Sequence, residues 1–501
     1  MRTDNLAPPF RRLLIANRGE IAIRVICACR EMGIAPIAIH SDADVDALHV
    51  RLADRSERVG PPAARDSYLS IDAVVDAARR AGAEAIHPGY GFLSEDAAFA
   101  RAVEAAGLVF VGPRPSALEA LGNKLAARRS AAEAGVPIVP GTTVALTDDV
   151  AAIADIGYPV MLKAAAGGGG RGMRRVNGAA ELRPAMEAAR READAAFGDG
   201  TIYVERLVSP ARHVEVQLLG DRYGGLSVLG ERDCSVQRRH QKLVEESPSP
   251  AVDEPTRESL FDSARRVAGT VDFHNAATVE FLVAADGSHY FLEMNTRLQV
   301  EHGVTELVTG LDLVAWQIRV AAGERLPPEV LDAGRRGHAI EVRLYAEDPY
   351  DDFRPSAGRI GAWVMPSGPG VRIDVGIEAD TDLRPEYDPL LAKLMVHADN
   401  RAAAIDRLRR ALDETLIGGL QTDAGFLRWL VDEPVFVDGT YDTSLIATRW
   451  GNGPTLGDDD RALAALAALA ARRERLGAGW APTPTRGSAW GELGRREALR
   501  E

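Results

Sequence analysis

Residues 12–40 read RLLIANRGEIAIRVICACREMGIAPIAIH, and their pattern decides the architecture of the first part of the chain. Arg12 to Asn17 is an apolar run of strand length. Ile21 to Met32 carries apolar residues at helical spacing and is stopped by Gly33, and Pro36 to His40 is a second strand. Moving outward, Ile71, Val74, Val75 and Ala78 share one face of a helix over Ile71 to Ala81. A short strand then ends at His87-Pro88-Gly89, Ala97 to Ala106 reads as a helix and Val109 to Val111 as a strand. Strands alternating with helices predict a parallel sheet covered on both faces. The turn after the first strand is Asn17-Arg18-Gly19-Glu20 rather than GxGxxG, so nothing supports a nicotinamide cofactor.

Gly112-Pro113-Arg114-Pro115-Ser116 punctuates the end of this unit. From about residue 117 to 325 the pattern is α+β, and another mixed segment covers about 330 to 447. Gly451 to Asp460 reads as a linker, Arg461 to Leu476 as an alanine-rich helix, and the remaining residues as a loose tail. A length of 501 residues fits two to four domains.

Hydrophobic residues make up 46% and charged residues 26%, the balance of a soluble globular protein. A net charge of −14 argues against general nucleic-acid binding but leaves room for an anion held by local groups. No apolar run reaches the roughly 20 residues of a membrane span, and the first residues lack the layout of a secretory signal. Cys27, Cys29 and Cys234 form no disulfide framework, so a cytoplasmic setting is expected. Lysine occurs only at 124, 163, 242 and 393, whereas the other 55 of 59 basic residues are arginine. The four lysines are therefore candidates for places that need a compact ammonium rather than a guanidinium fork.

Four stretches carry chemistry. Pro159 to Ala164, a strand with Lys163, runs into Gly167, Gly168, Gly169 and Gly170. Adjacent glycines weaken packing, and either a flap over phosphate oxygens or a flexible surface hairpin accounts for them; Lys163 favours the flap. Thr278 to Val283 carries Glu280, and Tyr290 to Asn295 carries Glu293 and Asn295 on one strand face. The intervening AADGSH allows a hairpin, and two carboxylates with an amide oxygen suit Mg²⁺ on nucleotide phosphates. In Asn295 to His302, an extended backbone would put Arg297, Gln299 and Glu301 on one side. Arginine holds a small planar anion and a neighbouring carboxylate serves as general base, which describes bicarbonate. Cys234 to Lys242 is dense in donors suited to a triphosphate, with no metal-ligand spacing and no Cys/His nucleophile pair.

ANRGEIA (16–22), HPGYGFLSED (87–96), the glycine run, ERDCSVQRRHQKLVEE (231–246), EMNTRLQVEH (293–302), GHAIEVRLYAEDP (337–349) and YDPLLAKL (387–394) occur in that order. Together they resemble the biotin carboxylases over residues 10 to 447. The resemblance implies an α/β and α+β multidomain ATP-grasp fold. Its expected parts are an N-terminal Rossmann-like domain (1–116) and an ATP-grasp domain (117–330) with a mobile lid (about 138–208). A barrel-like C-terminal domain (331–447) and a linker, helix and connector-like tail (448–501) complete it.

It further implies that MgATP, or MnATP, and bicarbonate carboxylate biotin as the first half-reaction of a biotin-dependent carboxylase. Lys124, Lys163, the glycines 167–170, Glu205, Leu207, His213, Gln237 and His240 match the ATP site, with Glu280 and Glu293 shared with a metal site completed by Asn295. Lys242, Arg297, Gln299 and Val300 match the bicarbonate pocket, with Glu301 as the base. Arg343 matches the residue that stabilises the biotin enolate, and Tyr90 lies near the biotin ring. A carrier protein and a carboxyltransferase subunit are expected in trans, because no AMKM-like motif and no lysine beyond Lys393 occur. A homodimer is expected, with acyl-CoA (acetyl-CoA, in fatty acid synthesis) as final acceptor and pyruvate as the alternative. Rival readings are another bicarbonate-activating ligase, such as a carbamoyl-phosphate-forming enzyme, and a nucleotide-binding regulatory module with a decayed site.

Departures from the family pattern are Ala166 within the glycine run, Gly303 in place of proline, Asp96 for Asn, Asn123 for Asp and Arg206 for Lys. Ala166 would slow lid movement, and Gly303 would loosen the turn behind Glu301.

Overall fold

A computed structural model describes residues 8–142, 144–146, 153, 156–165, 173–451 and 453, apart from the side chain of Phe197. The chain divides into two compact units, 1–452 and 453–501. The second unit beyond Gly453, together with Ala166 and the glycines 167–170, lies outside the described residues.

The first sheet holds β1 (Arg12–Ile15), β2 (Ala35–Ser41), β3 (Arg55–Gly60), β4 (Ala85–His87) and β5 (Val109–Phe110) in the order β3-β2-β1-β4-β5, every pair parallel. Strand alternation sorts its side chains into two cores. Leu13 and Ile15 pack with Ile21, Val25 and Ile26 of the helix Gly19–Glu31, while Leu14 and Ile37 pack with Val74 and Ala78 of the helix Ile71–Ala81. The sheet is covered on both faces, as its apolar strands require. Strand β3 was not anticipated: RSERVG is polar because it forms the sheet edge, where its outer face meets water.

The turn after β1 positions the loop that follows β4. The Asn17 side-chain amide donates to the carbonyls of Pro88 (2.8 Å) and Tyr90 (2.7 Å). Gly89, at φ +64°, permits that approach, since a Cβ there would sit 2.9 Å from the Asn17 amide nitrogen. Asp96 and Asn123 both act as helix N-caps, Asp96 accepting from Ala98 and Phe99 and Asn123 from Ala126, so these two departures preserve capping.

A small antiparallel sheet is formed by β6 (Val160–Ala164), β7 (Arg174–Val176) and β8 (Ile202–Arg206), ordered β7-β6-β8. Val160 and Leu162 face a core with Val204, Leu182 and Met186, which turns Lys163 to the other face.

The largest sheet has eight strands: β9 (Ala211–Gly220), β10 (Leu226–Arg238), β11 (Gln241–Ser247), β12 (Asn275–Ala284), β13 (His289–Asn295), β14 (His338–Tyr345), β15 (Val371–Val375) and β16 (Leu390–Ala398). Their order is β13-β12-β9-β10-β11-β14-β16-β15, and every pair is antiparallel. The last three strands therefore extend the sheet begun by the first five. Strands β10 and β11 meet at a two-residue turn in which Arg239 and His240 take φ +50° and +68°, the left-handed pair that a tight hairpin demands. Strands β12 and β13 form the expected hairpin. Among the described residues no helix is long and apolar enough to cross a membrane.

Candidate active site

Register, rather than chain proximity, assembles the charged groups. Glu293 on β13, Glu280 on β12, Glu215 on β9 and Arg232 on β10 are successive cross-strand partners, so three carboxylates and a guanidinium form one row on the sheet. Arg232 is fully buried; its Nε donates to Glu215 at 2.5 Å and its Nη1 to Gln217 at 2.7 Å and Thr305 at 2.8 Å. Its Nη2 meets Thr278 at 3.1 Å, so every nitrogen of this buried guanidinium has an acceptor, which offsets the cost of its burial.

Lys242, at the start of β11, is the hub. Its Nζ donates to Glu215 Oε2 (2.6 Å), Glu301 Oε1 (2.8 Å) and Glu280 Oε1 (3.0 Å), one acceptor for each N–H of the ammonium. Glu301 immediately precedes the helix His302–Thr309, and its other oxygen accepts from Arg343 Nη2 at 2.9 Å. Arg343 on β14 also pairs with Glu245 and lies 3.5 Å from the Tyr345 hydroxyl. Burial alone would raise the Glu301 carboxyl, but Lys242, Arg343 and Arg232 hold it well below the ordinary value. Burial pushes the Glu245 carboxyl up to about 7 despite Arg343. Both oxygens of Glu301 thus rest on cations.

Around this hub the other expected residues fall into adjoining sets. Glu280 takes His213 Nε2 at 2.8 Å, the Asn295 amide at 2.9 Å and the Gln299 amide at 3.5 Å, and Gln237 lies 3.4 Å from His213 Nδ1. Arg297 donates to Glu95 (2.9 Å), Gln299 (3.0 Å) and Asn295 (3.3 Å). Lys124 pairs with Glu293, and Lys163 (2.5 Å) and Arg128 (2.6 Å) both pair with Glu205. Burial, then the charges of Lys163, His213 and Lys124, lower the pKa of His240. The Tyr90 hydroxyl donates to Glu20, and burial followed by the Glu20 carboxylate pushes its pKa well above the ordinary value.

One expectation needs correction. The backbone over Arg297 to Glu301 is not a strand but an irregular turn leading into the helix His302–Thr309. Arg297, Gln299 and Glu301 still converge, held by Glu280, Glu95 and Lys242 instead of by alternation. Leu207, two residues after Glu205, donates its N–H to the Pro159 carbonyl at 3.0 Å.

Glu280 and Glu293 face each other across the hairpin, and Asn295 touches Glu280. This hard oxygen set fits Mg²⁺ or Mn²⁺, with Lys242 and Lys124 now neutralising the carboxylates and His213 hydrogen-bonded to Glu280. His213, Glu215 and Glu280 also approach closely enough to share an ion.

Sequence reasoning missed Glu215, Arg232, Glu245 and Glu95. For Glu215 a signal existed: His213, Glu215 and Gln217 alternate with Val214, Val216 and Leu218, the period of a strand with one polar face turned to partners.

Comparison with known proteins agrees with this architecture. Residues 9–118 match the biotin carboxylase N-terminal domain, 123–329 the ATP binding domain of the carbamoyl-phosphate synthase L chain, and 341–448 the biotin carboxylase C-terminal domain. The chain is 49% identical over 443 residues to a biotin carboxylase of Halalkalibacterium halodurans, covering 88% of this chain and 98% of that one. It is 48% identical to the propionyl-CoA carboxylase alpha chain of Ruegeria pomeroyi, covering 89% of this chain and 69% of that one. Among solved structures, the biotin carboxylase domain dimer of Hydrogenobacter thermophilus 2-oxoglutarate carboxylase, in complex with MgADP, ADP and bicarbonate, superposes with a TM-score of 0.86. Identity there is 43%, over 89% of this chain and 99% of that one. With an ATP-binding domain flanked by both domains peculiar to it, and this degree of identity over nearly whole relatives, the chain belongs to the biotin carboxylase family of ATP-dependent ligases.

Proposed function

We propose that the chain carboxylates biotin presented on a separate carrier protein, using MgATP and bicarbonate through carboxyphosphate. The observation that carries this reading is Lys242 bridging Glu215, Glu280 and Glu301 while Arg343 holds the second oxygen of Glu301. A carboxylate between two cations, in a buried pocket with an arginine nearby, is a place where a small anion loses a proton as it gains a phosphoryl group.

Bicarbonate binds against Arg297, Gln299, Val300 and Lys242. Its charge draws Lys242 away from Glu301, which raises the basicity of that carboxylate when a base is needed. Glu301 takes the bicarbonate proton, the freed oxygen attacks the γ-phosphorus and ADP leaves. Lys124, Lys163, His213, Gln237 and His240 contact the nucleotide, with Glu205 and Leu207 at the adenine and the glycines 167–170 over the phosphates. Glu280, Glu293 and Asn295 would hold the divalent ion, which neutralises phosphate charge when bound. Carboxyphosphate releases CO₂, the phosphate takes the ureido N–H proton of biotin, and Arg343 stabilises the enolate that captures CO₂, with Tyr90 near the ring.

The division into an N-terminal domain (1–116), an ATP-grasp domain with lid (117–330) and a C-terminal domain (331–447) serves this sequence of steps. We place the enzyme in the cytoplasm as a homodimer, the arrangement named for the Hydrogenobacter domain, with a carboxyltransferase subunit completing the reaction. An acyl-CoA, acetyl-CoA first, is the acceptor we favour; pyruvate is the alternative.

The test is ADP release with MgATP, bicarbonate and free biotin, comparing the natural chain with Glu301→Gln. Biotin should stimulate the natural chain, and the variant should lose roughly 10²–10⁴-fold in turnover. A Glu301→Gln protein with undiminished turnover would remove the proposed base.

A further inference from the structure

Lys393 is the one lysine of the four to which no step has been given. Its side chain has no exposure to solvent. Its Nζ donates to the Val300 carbonyl at 2.8 Å and lies 3.2 Å from Glu20 Oε2 and 3.5 Å from Asp374 Oδ2. Val300 adjoins Glu301, and the other oxygen of Glu20 receives the Tyr90 hydroxyl. Asp374 is fixed in turn by Arg372 at 2.9 Å. One ammonium thus ties together β16, β15, the first turn of the helix Gly19–Glu31 and the turn that ends at Glu301.

We infer that Lys393 is a positioning residue that sets two walls of the site at once: the Val300–Glu301 backbone directly, and the Tyr90 ring through Glu20. This rests on the reading of Glu301 and Tyr90 given above. The chemistry explains why a chain that uses arginine almost everywhere keeps lysine here. Three acceptors converge on a single nitrogen in a fully buried space, a geometry that suits a compact ammonium and not a planar fork. Without the ammonium, Glu20 and Asp374 repel each other and the Val300 carbonyl is left buried and unpaired. Displacement of a reacting carboxylate by about 1 Å lowers turnover by about 10²-fold.

The experiment measures kcat and KM for MgATP, bicarbonate and free biotin in the full chain and in Lys393→Met and Lys393→Arg. In both variants kcat for bicarbonate-dependent ADP release should fall about 10²-fold and KM for bicarbonate and biotin should rise at least about fivefold, while KM for MgATP stays within about threefold, since the nucleotide contacts lie on other elements. A role in folding alone would lower the amount of active protein without raising KM for bicarbonate or biotin. Either variant retaining kcat within about threefold of the natural chain overturns the inference. If Lys393→Met does not fold, Glu20→Gln keeps the Lys393–Val300 bond and weakens only the seat of Tyr90. Its KM for biotin should then rise at least about fivefold, and an unchanged value would refute the link. Absence of biotin-stimulated ADP release in the natural chain would count against the proposed function instead, so the two failures are distinguishable.

Discussion

The buried carboxylate of Glu246 is tolerated because its partners are complete. Its carboxylate is 1% exposed and meets His338 at 2.6 Å, Arg401 at 2.7 Å and the Tyr441 hydroxyl. Burial would raise its pKa, yet the hydrogen bonds from His338 and Arg401 lower it from 4.5 to about 2. A carboxyl depressed on folding adds stability that is present above its unfolded value and drains away as pH falls toward the folded one. The effect is worth about 3 kcal/mol at neutral pH. Glu246→Gln should therefore lower the thermal midpoint at pH 7, with the gap to the natural protein narrowing from about pH 4.5 to about pH 2. A gap that stays constant over that range would show that the charge of Glu246 contributes nothing.

At the scale of elements, the turn and helix behind Glu301 carry the most informative departure from the family pattern. A Cβ at Gly303 would stand 2.2 Å from the sulfur of Met395, whose side chain is fully buried on β16. Gly303 thus fills its place by leaving room for Met395, and the turn is packed rather than loose. Gly303→Ala should destabilise by about 1–3 kcal/mol through overpacking, and the same substitution should cost much less when measured in a Met395→Ala background. Equal thermal midpoints for Gly303→Ala and the natural protein would contradict this. The same elements show what sequence can carry. The hairpin bearing Glu280 and Glu293 was legible because two apolar runs flank a short polar loop, a local signal. The extended reading of Arg297 to Glu301 failed because five residues alternate equally well in a strand and in a turn that opens a helix. Glu215 and Arg232 escaped notice because their meaning comes from cross-strand register, which joins residues far apart in the chain. The polar edge strand β3 was hidden for the related reason that an edge needs no apolar outer face.

At the scale of the whole molecule, a single eight-stranded sheet joins residues of two chain segments, those matched by the ATP-binding domain and by the C-terminal domain. Strand β14 brings Arg343, and β16 brings Lys393, alongside Lys242 and Glu301. The alternation of strands and helices over the first ~115 residues was readable from periodicity apart from β3, whereas this joining was not. On the proposed function, labelled bicarbonate should pass to a separate biotinylated carrier and leave this chain unlabelled; label retained on the chain would contradict a carrier in trans. Light scattering should return twice the 53.7 kDa of one chain. A mass of one chain at working concentration would refute the homodimer.

On the proposed function, bicarbonate deprotonated by Glu301 attacks the γ-phosphorus of ATP. Supplying ¹⁸O-labelled bicarbonate with MgATP and biotin and weighing the released phosphate tests it most directly. Attack through a bicarbonate oxygen followed by loss of CO₂ leaves one labelled oxygen on each phosphate. Phosphate that carries no label while biotin is carboxylated would contradict the account.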